Sequence, residues 1–542
     1  MNRSLRRAPV VAYFGMEYGL HESFPIYSGG LGILAGDYIK AAADAAAPMV
    51  AVGLLWERGY CVQRIGADGR PYEEYPGFDS SFLEDTGVRV RVRVRGAEVP
   101  VRVWVTQKHG HIPLYLLEPL KQEDRWITHR LYEAGTDTRI AQEMILGIGG
   151  VRALGWLGFN VHTYHFNEGH AVFAGIERIA ELMESGMTFP DAWERVRKQT
   201  VFTTHTPVKA GNEEHALADL RRMGACLQLS GAEMRAIGGD PFNMTVAGLR
   251  LSRAANAVAQ LHGVTSRAMW KDVSNACPIG AITNGVHVPT WQAPEIREAA
   301  HDPAKVLAAH NKLKAQLIAE VQRRQGVALE PDAFLIGFAR RAAGYKRSDL
   351  ILRDEARLDA LMAKHHVRVL FAGKAHPDDA NGRNIVARLV QGARKHPGKV
   401  VFLENYDMAI GRLLTRGCDV WLNNPIRPLE ASGTSGMKAA MNGVPNVSIL
   451  DGWWPEACLD GKNGFAIGDE KSGDDVQDLH DLYDTLEKRV IPAFADKKKW
   501  SAIMAESVRT TEAAFSSDRM IREYFEQLYG LPLPAPGVIA TR

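Results

Sequence analysis

Short apolar runs bounded by polar or glycine-rich stretches recur along this chain. Residues 10–14 (Val-Val-Ala-Tyr-Phe) and 48–56 (Pro-Met-Val-Ala-Val-Gly-Leu-Leu-Trp) have the pattern of buried parallel strands, and residues 37–47 between them predict a helix. From Val88 to Arg95 valine and arginine alternate strictly, and after Gly96 valine returns at Val99, Val101, Val103 and Val105. A period of two with one apolar face predicts a half-buried antiparallel hairpin. Its arginines read either as an anion-binding stripe or as a solvated strand face, the commoner case.

Further strand candidates lie at 159–165, 199–205 and 276–283, each followed by a polar or glycine-containing loop. The C-terminal half is more regular. Strand-like runs at 334–340, 367–373, 399–404, 418–423 and 446–450 alternate with helical patterns near 348–364, 380–396, 407–416 and 435–442. That alternation builds βαβ units and a parallel, doubly wound sheet. Residues 285–291, with Pro289 among them, read as the crossing between two halves, and 500–529 as one or two amphipathic helices before a loose Pro/Gly-rich tail. The expected fold class is α/β, with two Rossmann-like doubly wound domains facing a central cleft. The expected division is an N-terminal α/β domain over 1–287, a C-terminal Rossmann-like domain over 288–505, and C-terminal helices and tail over 506–542 that pack back on the first domain.

Composition narrows the function. A chain of 542 residues at about 100–200 per domain holds two or more cores, and 65 basic against 63 acidic side chains leave a net charge of +2. Near-neutrality argues against a protein devoted to nucleic acid or an anionic membrane. Five scattered cysteines without C-x-x-C spacing suggest neither a disulfide framework nor a zinc site, and point to a reducing, cytoplasmic setting. The basic stretch 1–8 before apolar 9–16 has the outline of a signal peptide, but it reaches Glu17 without a small-residue cleavage site. It reads better as a first core strand.

Candidate chemistry gathers at strand ends, where open α/β sheets place their ligands. In Glu430-Ala-Ser-Gly-Thr-Ser-Gly-Met-Lys438 small residues permit a sharp turn into a helix, so free N–H groups and the positive dipole end point at one place, as a phosphate requires. Lys438, within the first turn, suits an ion-pair partner or a Schiff base with an aldehyde cofactor. Gly337 to Arg347 carries Arg340, Arg341, Lys346 and Arg347, of which Arg341 and Lys346 are suited to hold a phosphate group. Tyr27 to Gly36 is a glycine-rich loop able to bring backbone N–H groups near an anion. His165 to His170, Thr203 to Pro207 and Thr283 to His287 place Asn or His at strand ends, as hydroxyl recognition requires. Histidines so dispersed do not argue for a metal.

Together these segments resemble the α-glucan phosphorylase family, the pyridoxal-phosphate-dependent retaining glycosyltransferases. The match is most specific in Glu-Ala-Ser-Gly-Thr-x-x-Met-Lys, ending at Lys438, with support from Ser-Gly-Gly-Leu-Gly-x-Leu-Ala-Gly, Thr-x-His-Thr, Thr-Asn-Gly, Gly-Tyr-Lys-Arg and Phe-Leu-Glu-Asn-Tyr. It runs from about residue 10 to about 460 and is closest to a short bacterial and archaeal branch lacking the regulatory extensions. The resemblance implies a GT-B fold, with α-glucan or maltodextrin, inorganic phosphate and glucose 1-phosphate as partners, and it allows a homodimer. It also implies pyridoxal 5′-phosphate carried by Lys438, its phosphate held by Gly433, Thr434 and Ser435 with Arg340 nearby. Arg341 and Lys346 would clamp the substrate phosphate. His205, Asn284, Tyr345, Glu430 and Ser432 would bind the glucosyl unit, and Gly30, Leu31 and Gly32 would offer backbone donors to the phosphate. In that family the cofactor phosphate exchanges a proton with the substrate phosphate, and no enzyme carboxylate acts as nucleophile.

The chain departs from the long enzymes at Ser435-Gly436, where they have Gly-Asn, at Ala342-Ala343-Gly344, and at Arg340, where they usually have lysine. Two other readings compete: a sugar-nucleotide-dependent glucan synthase of the same two-domain fold, and a glucan-binding protein without turnover. Lys438 after Ser-Gly-Met speaks against the first, and intact Lys438, Arg341 and Lys346 against the second.

Overall fold

The computed structural model describes residues 10–208, 211–471 and 474–534. The basic stretch 1–8 and the end of the tail lie outside them. The chain forms two compact units. One comprises the described residues of Met1–Tyr60, Tyr75–Thr283 and Met520–Arg542; the other comprises those of Cys61–Glu74 and Asn284–Arg519.

Among the described residues, the first unit is built on a nine-stranded sheet. Its strands stand in the order Ile279–Ala281, Ala254–Ala257, Thr200–Thr203, Val161–Asn167, Val10–Phe14, Met49–Leu54, Leu114–Pro119, Ala97–Thr106 and Glu84–Val94. The first seven are parallel, and the last two form the expected antiparallel hairpin at the edge. Val90, Val92 and Val94 are buried, while Arg89, Arg91 and Arg93 are exposed and pair with Asp85 and Glu98. That is the solvated strand face, and charges on an outermost strand also discourage edge-to-edge pairing.

The second unit holds a six-stranded parallel sheet in the order Val400–Leu403, Val367–Ala372, Phe334–Ala339, Val420–Asn423, Asn446–Ile449 and Gly464–Ile467. Ranked along the chain this is 3-2-1-4-5-6, the Rossmann order. The seven parallel strands of the first unit follow the same scheme with one strand added. Each unit therefore has a switch point where the strand order reverses, between Val10–Phe14 and Val161–Asn167 in one and between Phe334–Ala339 and Val420–Asn423 in the other. Apolar runs such as Phe-Leu-Ile-Gly-Phe-Ala are buried at every position because helices cover both faces of such a sheet.

The structure corrects the expected elements in three places. The helix expected at 37–47 spans Gly30–Asp44, so the glycine-rich segment is largely helical. Gly32 and Gly36 within it serve close packing: a Cβ at Gly36 would lie 2.0 Å from the Gly19 carbonyl oxygen. Strands Ala254–Ala257, Leu114–Pro119 and Gly464–Ile467 were not expected; Ala-Ala-Asn-Ala has none of the β-branched or aromatic residues that signal a strand. The expected boundaries at 287 and 505 also differ from the observed division. Residues 61–74 form a hairpin, Val62–Ile65 with Pro71–Glu74, that belongs to the second unit. Gln63 exchanges hydrogen bonds with the Ala375 backbone (3.2 and 3.1 Å), Lys374 Nζ donates to the Cys61 carbonyl (2.9 Å), and Arg383 pairs with Glu73. Residues 506–519 also belong to the second unit, and the return to the first begins at Met520.

Candidate active site

In the second unit the segments after Phe334–Ala339 and Val420–Asn423 flank the switch point, and the expected phosphate-binding residues lie on them. Glu430 is buried and accepts from Lys346 Nζ (2.8 Å) and Arg340 Nη2 (2.7 Å). Burial would push its carboxyl up, but the two cations together outweigh that and hold it below the ordinary value. Lys346 also lies over the Tyr345 ring, 4.8 Å from its centroid. The Glu430 amide donates to Asp451 Oδ2 (2.9 Å), and burial pushes the Asp451 carboxyl up to about 7. Arg341 is exposed. Arg347, buried at φ +46°, is committed elsewhere: it binds the Asn424 and Pro425 carbonyls and the carboxylates of Asp475 and Asp478.

Lys438 is buried on the helix Thr434–Ala440, with its Nζ 3.6 Å from the centroid of the Trp291 ring. Asn442 Nδ2 joins the Lys438 and Trp291 carbonyls at 2.7 and 3.1 Å. Gly433 precedes the helix at φ +85°, and a Cβ there would meet Arg340 Nη2 at 3.2 Å, so the turn requires glycine. Thr434 and Ser435, first in the helix, have no carbonyl one turn back to receive their N–H groups. Arg340 Nη1 and Ser432 Oγ are buried without a hydrogen-bond partner in the protein. Buried donors of this kind need an acceptor, and an anion at Gly433–Ser435 supplies one. A buried amine against an indole, next to an anion cradle, fits an aldehyde cofactor carrying a phosphate. The departures from the long enzymes also find local reasons. Ser435 Oγ accepts from Trp421 Nε1 (3.2 Å), and a Cβ at Gly436 would fall 2.5 Å from Asn446 Oδ1. Asn284 is buried with its Oδ1 unpartnered and its carbonyl taken by Arg519 (3.0 Å).

In the first unit Gly30, Leu31 and Gly32 open the helix Gly30–Asp44, so their amides point out of its N-terminus. The two amides before them are already taken: Glu17 Oε2 accepts from Ser28 (2.5 Å) and Gly29 (3.4 Å), and Glu17 Oε1 accepts from the Tyr132 hydroxyl (2.8 Å). A Cβ at Gly32 would lie 2.5 Å from Glu17 Oε2. Burial pushes the Glu17 carboxyl up. His205 follows the strand Thr200–Thr203. Its Nε2 donates to Asn167 Oδ1 (2.7 Å), which leaves Nδ1 as the acceptor, and its backbone N–H donates to Glu168 Oε1 (2.5 Å). Desolvation first, then His262, His165 and His170, push its pKa down to about 3, so the ring stays neutral.

The second unit thus brings Arg340, Tyr345, Lys346, Glu430, Ser432 and Gly433 together in one group. Sequence reasoning named Asn167 within the segment His165 to His170 but missed Glu17, Glu168, Trp291 and Asp451. Glu17, Glu168 and Asp451 sit at or just after strand C-terminal ends, a positional signal that could have found them. Trp291 gave no such signal.

Two α/β units of Rossmann order, each with ligand-type groups at its switch point, are the architecture of the GT-B class of glycosyltransferases. Residues 251–457 match the family model Phosphorylase, described as carbohydrate phosphorylase. The chain is 39% identical to a maltodextrin phosphorylase of Thermococcus litoralis, covering 96% of this chain and 71% of that one. It is also 39% identical to a glycogen phosphorylase of Mycobacterium tuberculosis (96% and 70% covered) and 35% identical to a glycogen phosphorylase of Aquifex aeolicus (98% and 87%). The chain belongs to the carbohydrate phosphorylase family, enzymes that are generally dependent on pyridoxal phosphate.

Proposed function

We propose that the chain carries out the reversible phosphorolysis of α-1,4-glucan or maltodextrin at non-reducing ends, giving α-D-glucose 1-phosphate with retention, with pyridoxal 5′-phosphate held by Lys438. The observation that carries this reading is the buried Lys438 amine on Trp291 beside the Gly433 turn and the unpartnered Arg340 Nη1. When bound, the group supplies a phosphate able to exchange a proton with a second phosphate.

The rest falls to the chain's own residues. Arg340 Nη1 and the amides of Gly433, Thr434 and Ser435 bind the cofactor phosphate. In the second unit Arg341 and Lys346 bind inorganic phosphate, and in the first unit the first-turn amides of Gly30, Leu31 and Gly32 offer donors suited to a phosphate. Two neighbouring phosphates repel unless neutralised, and preorganised donors of this kind are worth about 3–4 kcal/mol each. Glu430 keeps the Arg340 and Lys346 side chains oriented before phosphate arrives. Asn284 Oδ1, Tyr345, Ser432 and Glu430 recognise glucosyl hydroxyls, and the neutral His205 ring accepts a hydrogen bond from a hydroxyl at Nδ1. Attack of phosphate on the face that the leaving glucan vacates gives retention without a carboxylate nucleophile.

The proposed setting is the cytoplasm, supported by five cysteines that are all free, and the proposed assembly is a homodimer. The test is Lys438→Ala. The purified variant is expected to lack the near-ultraviolet absorption of a bound pyridoxal group and to release no glucose 1-phosphate from maltodextrin. Phosphorolysis by that variant would overturn the reading.

A further inference from the structure

A second charged cluster lies in the first unit, among residues given no role above. Arg139, on the helix Thr136–Met144, grips Glu213 with a fork: Nε lies 2.8 and 3.0 Å from the two carboxylate oxygens and Nη2 2.9 Å from Oε2. Glu143, one turn along that helix, places Oε1 3.3 Å from Arg139 Nε, and its Oε2 meets His215 Nε2 at 2.9 Å. Glu143 and His215 are buried. The carboxylates and the imidazole lie close enough together to hold a metal ion. The guanidinium already among them is the cation of this site.

Burying such a cluster is a weak way to gain stability, because desolvation consumes most of the attraction. What it fixes well is position. Glu213 and His215 end the stretch of chain that begins at His205, and the start of that stretch is fixed by a second costly feature. Glu168 accepts from the His205 amide and from Thr206 Oγ1 (3.1 Å), and it does so from φ +70°, ψ 176°, a conformation nearly confined to glycine. Strain of this kind persists only where surrounding contacts over-determine it. Between the two ends, Asn212 Oδ1 accepts from Thr245 Oγ1 (2.6 Å). Arg139 also lies over the Tyr132 ring at 5.2 Å, and the Tyr132 hydroxyl reaches Glu17, the carboxylate that takes the Ser28 and Gly29 amides.

We propose that Glu213 and Arg139 are positioning residues for His205, their ion pair fixing the far end of the segment on which His205 sits. This rests on the reading of His205 as a glucosyl contact. The test is a double-mutant cycle on the full-length holoenzyme, with initial rates of maltodextrin phosphorolysis measured for Glu213→Gln, His205→Ala and the double variant. Glu213→Gln is expected to lower kcat about tenfold with KM for phosphate changed less than about twofold, and to retain the bound-cofactor absorption. In the His205→Ala background the same change is expected to cost less than about twofold further, because the two act through one contact. Multiplicative losses, or an unchanged kcat in Glu213→Gln, would overturn the proposal. An unchanged kcat in His205→Ala alone would instead reject the role given to His205. Should Glu213→Gln not fold, Arg139→Lys takes its place in the cycle, since it keeps the charge but loses the fork, and the same two results decide.

Discussion

Glu430 and Asp451 are joined by one hydrogen bond, and their pKa values are shifted in opposite directions. For Glu430, burial is outweighed by Arg340 and Lys346, so the folded carboxyl is the stronger acid. The stability it contributes is present above the unfolded carboxyl value, about 4.3, and is lost as pH falls through the lower folded value. Asp451 is raised to about 7 by burial, so its contribution is complete below the unfolded value and is lost as pH rises through about 7. Glu430→Gln is expected to destabilise the protein by about 3–5 kcal/mol at pH 7, since two buried cations lose their counter-charge. It is also expected to flatten the acid side of the profile of thermal midpoint against pH; an acid limb identical to the wild type would show that Glu430 does not carry it. At this scale the motif residues were legible because their chemistry is written in residue type: Lys438 after a run of small residues, Arg340 and Lys346 at a strand end. Trp291 was not legible, because the indole gains its meaning only from the amine stacked on it in space.

The helix Gly30–Asp44 shows how packing overrides local pattern. A glycine-rich stretch reads as a loop, yet Gly36 passes so close to the Gly19 carbonyl that no side chain fits, and the helix extends through it. Gly36→Ala is expected to cost at least about 1–3 kcal/mol, read as a lowered thermal midpoint, because the added carbon must displace backbone. The C-terminal helical segment is held to the first unit by hydroxyl groups. Tyr529 meets His165 Nδ1 at 2.6 Å and the Tyr38 hydroxyl at 2.5 Å, and Asn256 donates to Tyr524 at 2.7 Å. Tyr529→Phe strands two buried polar groups and is expected to cost about 1–3 kcal/mol in chemical denaturation; a neutral result would mean that water replaces the phenol. The amphipathic pattern announced these helices, but the tyrosines' partners lie hundreds of residues away and left no local trace.

In the whole molecule the chain passes between units more often than a linear reading suggests. The parallel sheets and their order follow from alternating strand and helix patterns, whereas the hairpin 61–74 is contiguous with one unit and folded into the other. A chain ending at Arg519 is therefore expected to damage the first unit selectively. It should bind a hydrophobic dye and lose amide protection around Tyr13, Tyr38 and His165, while the pyridoxal absorption tied to Lys438 persists. Equal loss of protection in both units would contradict this. Among the described residues no helix is long and apolar enough to cross a membrane.

The hairpin's placement bears on engineering. A chimaera that transplanted residues 284–519 from one phosphorylase into another as a single cassette would leave its fourteen-residue companion behind in the host. The graft would then meet a foreign hairpin against Ala375 and Arg383. Recombination libraries of these enzymes should move the two pieces together, and crossovers at a single junction should be enriched among the inactive clones.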